Sequence, residues 1–256
     1  MKILTYNIRI QVLKDKGVRS WLNRKSLVAK VINDSCADII SVQEVGNWYQ
    51  KWSLERLLPK YDYYGKGLQW LGIVPASECG ILWNKDKFYL QDSGGFWLSE
   101  TPEKYSKSWD SAFAKTCVWV KLLDKVTSKE FYVISTHLDH IGQVARKESA
   151  KLINTFIKTL DRPVLFMGDL NTNLAMNEGI LELFSETMIE CKDAKEVVNL
   201  IGTYNRYTDE FPVSDGRIDF IFTKGIDMVK SEVINKIYDG VFPSDHFPVA
   251  LEFNIN

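Results

Sequence analysis

Apolar residues in this chain recur with a helical period in stretches near both ends and with a strand period through a long middle, an order that few architectures accommodate. Lys2 to Arg9 reads as a strand. Arg19 to Asp34 reads as a helix whose Trp21, Leu27, Val28, Val31 and Ile32 cluster towards one side. Ala37 to Val45 returns as a buried strand, and a helix from Trp48 to Leu58 stops before Pro59, because a residue preceding proline avoids helical backbone. Strands follow at Tyr61 to Tyr64, Gly80 to Trp83, Phe88 to Leu90, Phe96 to Leu98, Thr116 to Leu123 and Phe131 to Thr136. In Thr116 to Leu123, Val118, Val120 and Leu122 alternate with Cys117, Trp119 and Lys121 ahead of a hairpin turn near Thr127-Ser128, which predicts antiparallel sheet. The pattern then reverts to a helix over Gly142 to Leu160, a strand over Val164 to Met167, a helix over Glu178 to Ser185 and strands over Arg217 to Thr223 and Val249 to Phe253. Helices alternating with strands around a strand-rich middle predict mixed sheets covered by helices.

Composition narrows the partners more than the fold. In 256 residues, 45% hydrophobic and 12% aromatic content supplies a sizeable core and excludes disorder and fibres. No linker or repeat breaks the chain, so residues 1–256 are expected to form one domain. Lys and Arg total 32 against 33 Asp and Glu, a net charge of −1, so no global field draws the chain to a polyanion and any phosphate site must be local. Cys36, Cys79, Cys117 and Cys191 lie far apart with no C-x-x-C pair, which argues for free thiols in a reducing compartment. The N-terminal MKILTYNIRI reaches Arg9 before any signal-peptide core, and no run approaches membrane-spanning length, so a cytoplasmic monomer is expected.

The chemistry is concentrated where strands end. Thr5-Tyr6-Asn7-Ile8-Arg9, Gln43-Glu44-Val45, Ser135 to His140, Gly168-Asp169-Leu170-Asn171 and Ser244 to Pro248 each put polar groups inside or directly after a strand, where they must find partners. Singly, each has a structural alternative of comparable weight: Asn7 closing a strand, Glu44 pairing with an arginine, Gly168-Asp169 forming a turn. The histidines shift the balance, because the chain has 3 and all lie in these segments, His140 and His246 each directly after an aspartate.

The segments TYNIR, QEV, STHLDH, MGDLNTN, RIDFIF and PSDHFPV, in this order and spread over nearly the whole chain, resemble the endonuclease/exonuclease/phosphatase superfamily of DNase I-like phosphoesterases. GGFWLSETPE and KSWDSA are similar to stretches in bacterial relatives of its Ccr4 and nocturnin-like subgroup. The resemblance implies an αββα sandwich of four layers, two mixed sheets face to face with helices outside. It also implies a divalent-metal-dependent phosphoester hydrolase, of the nuclease, phosphodiesterase or phosphatase kind.

Phosphate-ester hydrolysis needs charge neutralisation on the phosphoryl oxygens, an activated in-line water and help for the leaving oxygen. Mg²⁺ takes oxygen ligands without Cys or His, and Mn²⁺ has similar tastes, which makes Glu44 the first expected metal ligand. By the resemblance, Asn7 and Asp245 complete or adjoin that site, while Asp169 and Asn171 position water and phosphate. His246 is the expected general base; adjacent strand residues face opposite sides, so Asp245 is poorly placed to orient it, and the resemblance implies Asp219, from another strand, as its partner. A pair with Arg217 is the structural alternative for Asp219. His137 is expected to bond the phosphate or protonate the leaving group. Arg9, two residues from Asn7 on the same strand face, and His140 stand as weaker candidates for substrate binding, and Asp139 and Arg146 lie outside the catalytic set.

Two rivals compete. HLDH is similar to part of a metallo-β-lactamase zinc motif, but a dinuclear zinc site needs more histidines than the chain carries. A silent binding module on the same sandwich would use aromatic stretches such as Trp48 to Trp52 and Tyr61 to Trp70 to stack bases, although core packing explains these more simply. Among phosphoesters, the neutral charge balance disfavours a duplex and points to single-stranded nucleic acid, a nucleotide or a small phosphodiester.

Overall fold

The computed structural model describes residues 1–66, 78–176, 178–208 and 216–255. Its strands are β1 (Lys2–Asn7), β2 (Ile39–Val45), β3 (Tyr61–Lys66), β4 (Glu78–Asn84), β5 (Phe88–Trp97), β6 (Thr116–Asp124), β7 (Glu130–His137), β8 (Val164–Asp169), β9 (Ile189–Glu190), β10 (Glu196–Val198), β11 (Asp219–Lys224), β12 (Ile226–Val233) and β13 (Val249–Ile255). Four helices join them: α1 (Trp21–Ser35), α2 (Trp48–Leu57), α3 (Gln143–Thr159) and α4 (Ile180–Ser185).

The strands form two mixed sheets, one of seven strands in the order β10-β12-β13-β1-β2-β4-β3 and one of six in the order β5-β6-β7-β8-β11-β9. Period-2 alternation sends one residue inward and the next outward. On β1, Ile3 joins the core between the sheets with Ile81, Val118, Val133, Met167, Ile221 and Leu251. Its neighbour Leu4 packs outward with Tyr6, Val28, Ile32 and Leu54, beneath α1 and α2. On the far side of the second sheet, Ile134, Phe166 and Phe222 meet Ile153 and Ile157 of α3 and Phe184 of α4. Two apolar faces on each sheet therefore generate four layers, as the resemblance implies, and each fully buried Leu, Ile or Phe contributes roughly 1.5–3 kcal/mol.

The hairpin between β6 and β7 forms where the sequence places it: the Asp124 carboxylate accepts from the amides of Val126 and Thr127, and Ser128 takes the left-handed conformation at φ 58°. Three readings differ. β1 stops at Asn7 rather than Arg9, because Arg9 turns left-handed at φ 57° and the buried Arg24 side chain donates to the carbonyls of Ile8, Arg9 and Pro243, pinning the exit. Phe88 to Leu90 and Phe96 to Leu98 fuse into one edge strand carrying a register shift between Leu90 and Asp92, since the polar and glycine residues between them face solvent rather than break the ladder. The mixed sequence of β12 gives no clean alternation, yet it pairs along its length with β13. Of the aromatic stretch Tyr61 to Trp70, residues 67–70 lie outside the described residues.

Candidate active site

The site is assembled by strand register. β7 and β8 run parallel with His137 opposite Asp169, and β11 runs antiparallel to β8 with Asp219 opposite Asp169, so three terminal residues form one row across the six-stranded sheet. Leu138 and Leu170 extend this frame through backbone bonds to Asp169 and Ile218. On the facing sheet, Asn7 ends β1 opposite Gln43 of β2, and Glu44 sits in a left-handed conformation (φ 65°) at a register shift between Val42 and Val45. A bulge of this kind re-aims a side chain. Asn7 joins the sheets, its Nδ2 donating to Asp169 Oδ2 at 3.0 Å and to Glu44 Oε1 at 3.2 Å. Glu44 Oε2 accepts from the Ile10 amide at 2.7 Å.

His246 completes the row. Its Nδ1 lies 2.8 Å from Asp219 Oδ2 and its Nε2 3.8 Å from Asp169 Oδ2, while Tyr204 packs on the ring with centroids 4.9 Å apart. The alternative for Asp219 does not form: Arg217 pairs with Glu190, leaving Asp219 to the histidine. Asp169, Asp219 and His246 offer ligand atoms within 4.8 Å of one another, all buried. Burial alone pulls the His246 pKa down, but the charge and hydrogen bond of Asp219, helped by Asp169 and Asp245, more than reverse this and hold it near 10. Burial and the Asp219 charge push Asp169 well above the ordinary carboxylate range, His246 and the Asn7 and Asn171 bonds opposing them.

Asn171, left-handed at φ 47°, donates from Nδ2 to the Leu138 carbonyl at 3.0 Å and lies 2.9 Å from His137 Nε2. Burial first, then the positive fields of Lys115, His246 and His140, hold the His137 pKa well below its usual value. His137 is therefore a neutral hydrogen-bonding group near neutral pH and a poor proton donor to a leaving group. Its Nδ1 and Asp219 Oδ1 are buried without a hydrogen-bond partner among the described residues.

Several expected residues fall elsewhere. Arg9 lies beyond the end of β1 rather than on its face, and its guanidinium is held by Asp15 at 2.7 Å and Asp245 at 2.5 Å. That pair also engages the Asp245 carboxylate, which lies outside the Asp169, Asp219 and His246 group. His140 is exposed and stacks on Phe113 with ring centroids 5.9 Å apart. Asp139 accepts from Ser111 and from the amides of Ala112, Phe113, Ile141 and Gly142, organising the loops there, and Arg146 pairs with Glu178. One residue against the site gave no sequence signal: Tyr204, which packs on the His246 ring and stands in no motif.

The donor set suits a hard dication. The Asn7 amide N–H lies between the Glu44 and Asp169 carboxylates, at the place where positive charge is wanted, while its Oδ1 accepts from the Arg9 amide at 2.9 Å.

Two mixed sheets packed face to face, flanked by helices and bearing acids, amides and histidines where their strand ends converge, define a sandwich of the DNase I-like class. A sequence model of the Endonuclease/Exonuclease/phosphatase family matches residues 4–246, and the chain belongs to that family. Its structure is similar to an endonuclease/exonuclease/phosphatase family protein from Bacteroides thetaiotaomicron (TM-score 0.92, 29% identity, covering 100% of this chain and 98% of that one). It is also similar to a mannosyl-6-phosphatase of Bacteroides thetaiotaomicron (TM-score 0.90, 29% identity, 100% of both chains). The human Nocturnin catalytic domain, at 17% identity and a TM-score of 0.74 over 100% of this chain and 93% of that one, shares the fold.

Proposed function

We propose that this protein is a Mg²⁺- or Mn²⁺-dependent phosphoester hydrolase in which His246 activates the attacking water. The observation that carries the proposal is the row His137, Asp169, Asp219, with His246 bonded through Nδ1 to Asp219. Asp219 fixes the tautomer that leaves Nε2 as the free nitrogen, on the side where Asp169 lies. Glu44, Asn7 and Asp169 would hold a dication, which would supply positive charge for the phosphoryl oxygens. A cation beside Asp169 would offset part of the negative charge that helps hold His246 protonated, and the Asp219 bond leaves Nε2 as the nitrogen that would take a proton from water. Asn171 and neutral His137 serve as hydrogen-bonding groups that orient a phosphoryl oxygen.

Family membership and the similarity to a sugar phosphatase support hydrolysis of a phosphoester. Within that class, a nucleotide, single-stranded nucleic acid or small phosphate ester suits a chain of net charge −1 better than a duplex. The test is release of p-nitrophenol from mono- and bis-p-nitrophenyl phosphate, and cleavage of single-stranded RNA, with and without EDTA. Chelator-sensitive turnover of any of the three is expected. RNA binding without metal and without cleavage would replace the enzyme with a binding module.

A further inference from the structure

Large apolar side chains meet solvent on a face that takes no part in the chemistry. In the loop between β1 and α1, Leu13 is 98% exposed and Val18 is exposed as well; Leu22 stands exposed on α1, and Trp48 (78%) and Trp52 on α2. Hydrogen bonds and ring contacts make these positions one surface. The Gln50 side chain of α2 accepts from the Gln11 amide at 2.9 Å, which ties the loop to α2, and Asn23 of α1 donates to the Gly17 carbonyl at 2.8 Å, which ties it to α1. Lys25 of α1 bonds the Tyr49 hydroxyl of α2 at 2.7 Å. Tyr49 in turn meets Trp48 edge-on and stacks on Trp52, with ring centroids 5.9 and 6.0 Å apart. Side chains left in water contribute no burial to the fold, and a cluster of them marks a surface that something else covers.

Charge identifies the partner. Lys14, Lys16, Arg19 and Arg56 are exposed around these side chains and Lys25 and Lys51 half-buried, whereas the acids of residues 11–26 and 47–57 are Asp15, whose carboxylate Arg9 holds, and Glu55. A chain of net charge −1 therefore carries a local positive field here. Arg56 lies over the Trp52 ring at 5.4 Å and Lys25 over Tyr49 at 5.0 Å, a pairing of ring and cation that suits the headgroup boundary of a bilayer. Among the described residues no helix is long and apolar enough to cross a membrane, so contact is from one side. We propose that this face docks on an anionic lipid surface, with Leu13, Val18, Leu22 and Trp48 entering the headgroup boundary and the lysines and arginines around them facing acidic headgroups. Single-stranded nucleic acid also pairs aromatic rings with cations, but Leu13, Val18 and Leu22 offer a base no ring to stack on, whereas lipid accepts them. The loop leaves β1 just after Asn7 and α2 begins shortly after Glu44, so docking would set the candidate site beside the membrane.

Lipid binding needs neither metal nor turnover, so it stands or falls apart from the hydrolase reading. The full chain is mixed with vesicles of phosphatidylcholine alone or of equimolar phosphatidylcholine and phosphatidylserine, and the bound fraction is read by flotation. Binding to the acidic vesicles, little to the neutral ones, and release as salt rises are expected. Lys14→Glu combined with Lys16→Glu should weaken binding about 10-fold or more by charge. Leu13→Ser combined with Leu22→Ser, which leaves the charge alone, should weaken it about 10-fold through lost apolar contact, with Tm unchanged because both side chains are exposed. Lipids brominated on their acyl chains should quench the wild-type tryptophan emission, and much less so in Trp48→Phe combined with Trp52→Phe. Absence of binding to acidic vesicles overturns the proposal, as does binding that every variant keeps. Single-stranded RNA bound by the wild type and lost in the same variants, with vesicles ignored, would make the face a strand-binding surface instead. Should a variant fail to fold, the wild-type emission decides, and emission left unquenched rejects insertion.

Discussion

At the scale of single residues, the assignment depends on which partner each charged group takes. Asp219 chooses His246 over Arg217, so its removal should change a pH profile rather than only stability. His246→Gln is expected to lower kcat by about 10²- to 10⁴-fold, the usual contribution of a general base, while retaining metal binding. Near-normal turnover in that variant would transfer the base to another residue. Asp219→Asn removes the largest influence holding the His246 pKa near 10, so the acidic limb of kcat/KM should move to lower pH as the rate falls. An unmoved limb would separate Asp219 from the titrating group. Motif residues were legible because acids, amides and histidines at strand ends have little structural reason to gather. Arg9 was misread because alternation continued past Asn7 would put both on one face, whereas bonds from Arg24 end the strand first. Tyr204 was invisible for a different reason: its place on the His246 ring depends on an isolated bridge between the two, a long-range fact that its neighbours in sequence do not encode.

At the scale of elements, two features hold the row of site residues straight. Gly168 of β8 has φ 154°, and a Cβ there would stand 2.0 Å from the Thr136 carbonyl oxygen of β7. Gly168→Ala must push the strands apart between the residues that carry His137 and Asp169, costing about 1–3 kcal/mol in urea unfolding as overpacking does, and lowering kcat well beyond what lost stability explains. Wild-type activity in this variant would mean that the row tolerates misregister. Asp139 shapes the exit from β7. Burial would raise its pKa, but the amides of Gly142, Ile141, Ala112 and Phe113 outweigh that and hold it at about 2. A depressed carboxylate contributes stability that is complete above its ordinary pKa of 3.8 and vanishes as pH falls through about 2. Asp139→Asn should therefore cost about 1–3 kcal/mol at neutral pH, and the gap to wild type, followed by thermal melts, should close between about pH 4 and pH 2. A gap independent of pH would assign the loss to geometry instead of charge. Strand and helix cores were readable from periodicity to within a residue or two. β12 and the middle of β5 were not, because an edge strand or mixed face gains its ladder from a neighbour rather than from its own pattern.

At the scale of the whole molecule, the site lies across the seam between the sheets: Asn7 and Glu44 come from one, and His137, Asp169 and Asp219 from the other. A buried hydroxyl pair, Ser41 with Ser135 at 2.6 Å, also crosses that seam, and the carboxylates of Glu44 from one sheet and Asp169 from the other converge there on the Asn7 amide. A dication should therefore fasten the sheets together as well as prepare the chemistry. At a concentration about 100-fold above its dissociation constant, a ligand of the folded state adds about 2.7 kcal/mol, which for a chain of this size raises Tm by roughly 5–10 °C. Mn²⁺ is expected to produce a rise of this order in wild type and much less in Glu44→Gln, which loses ligand charge but keeps its shape. EDTA should lower wild type to the melting temperature of the metal-free protein and leave the variant nearly unmoved. If Glu44→Gln instead melts lower by the same amount with and without Mn²⁺, Glu44 supports the bulge after β2 and takes no part in cation binding, and the positive charge that frees His246 must be held by Asp169 with its remaining neighbours.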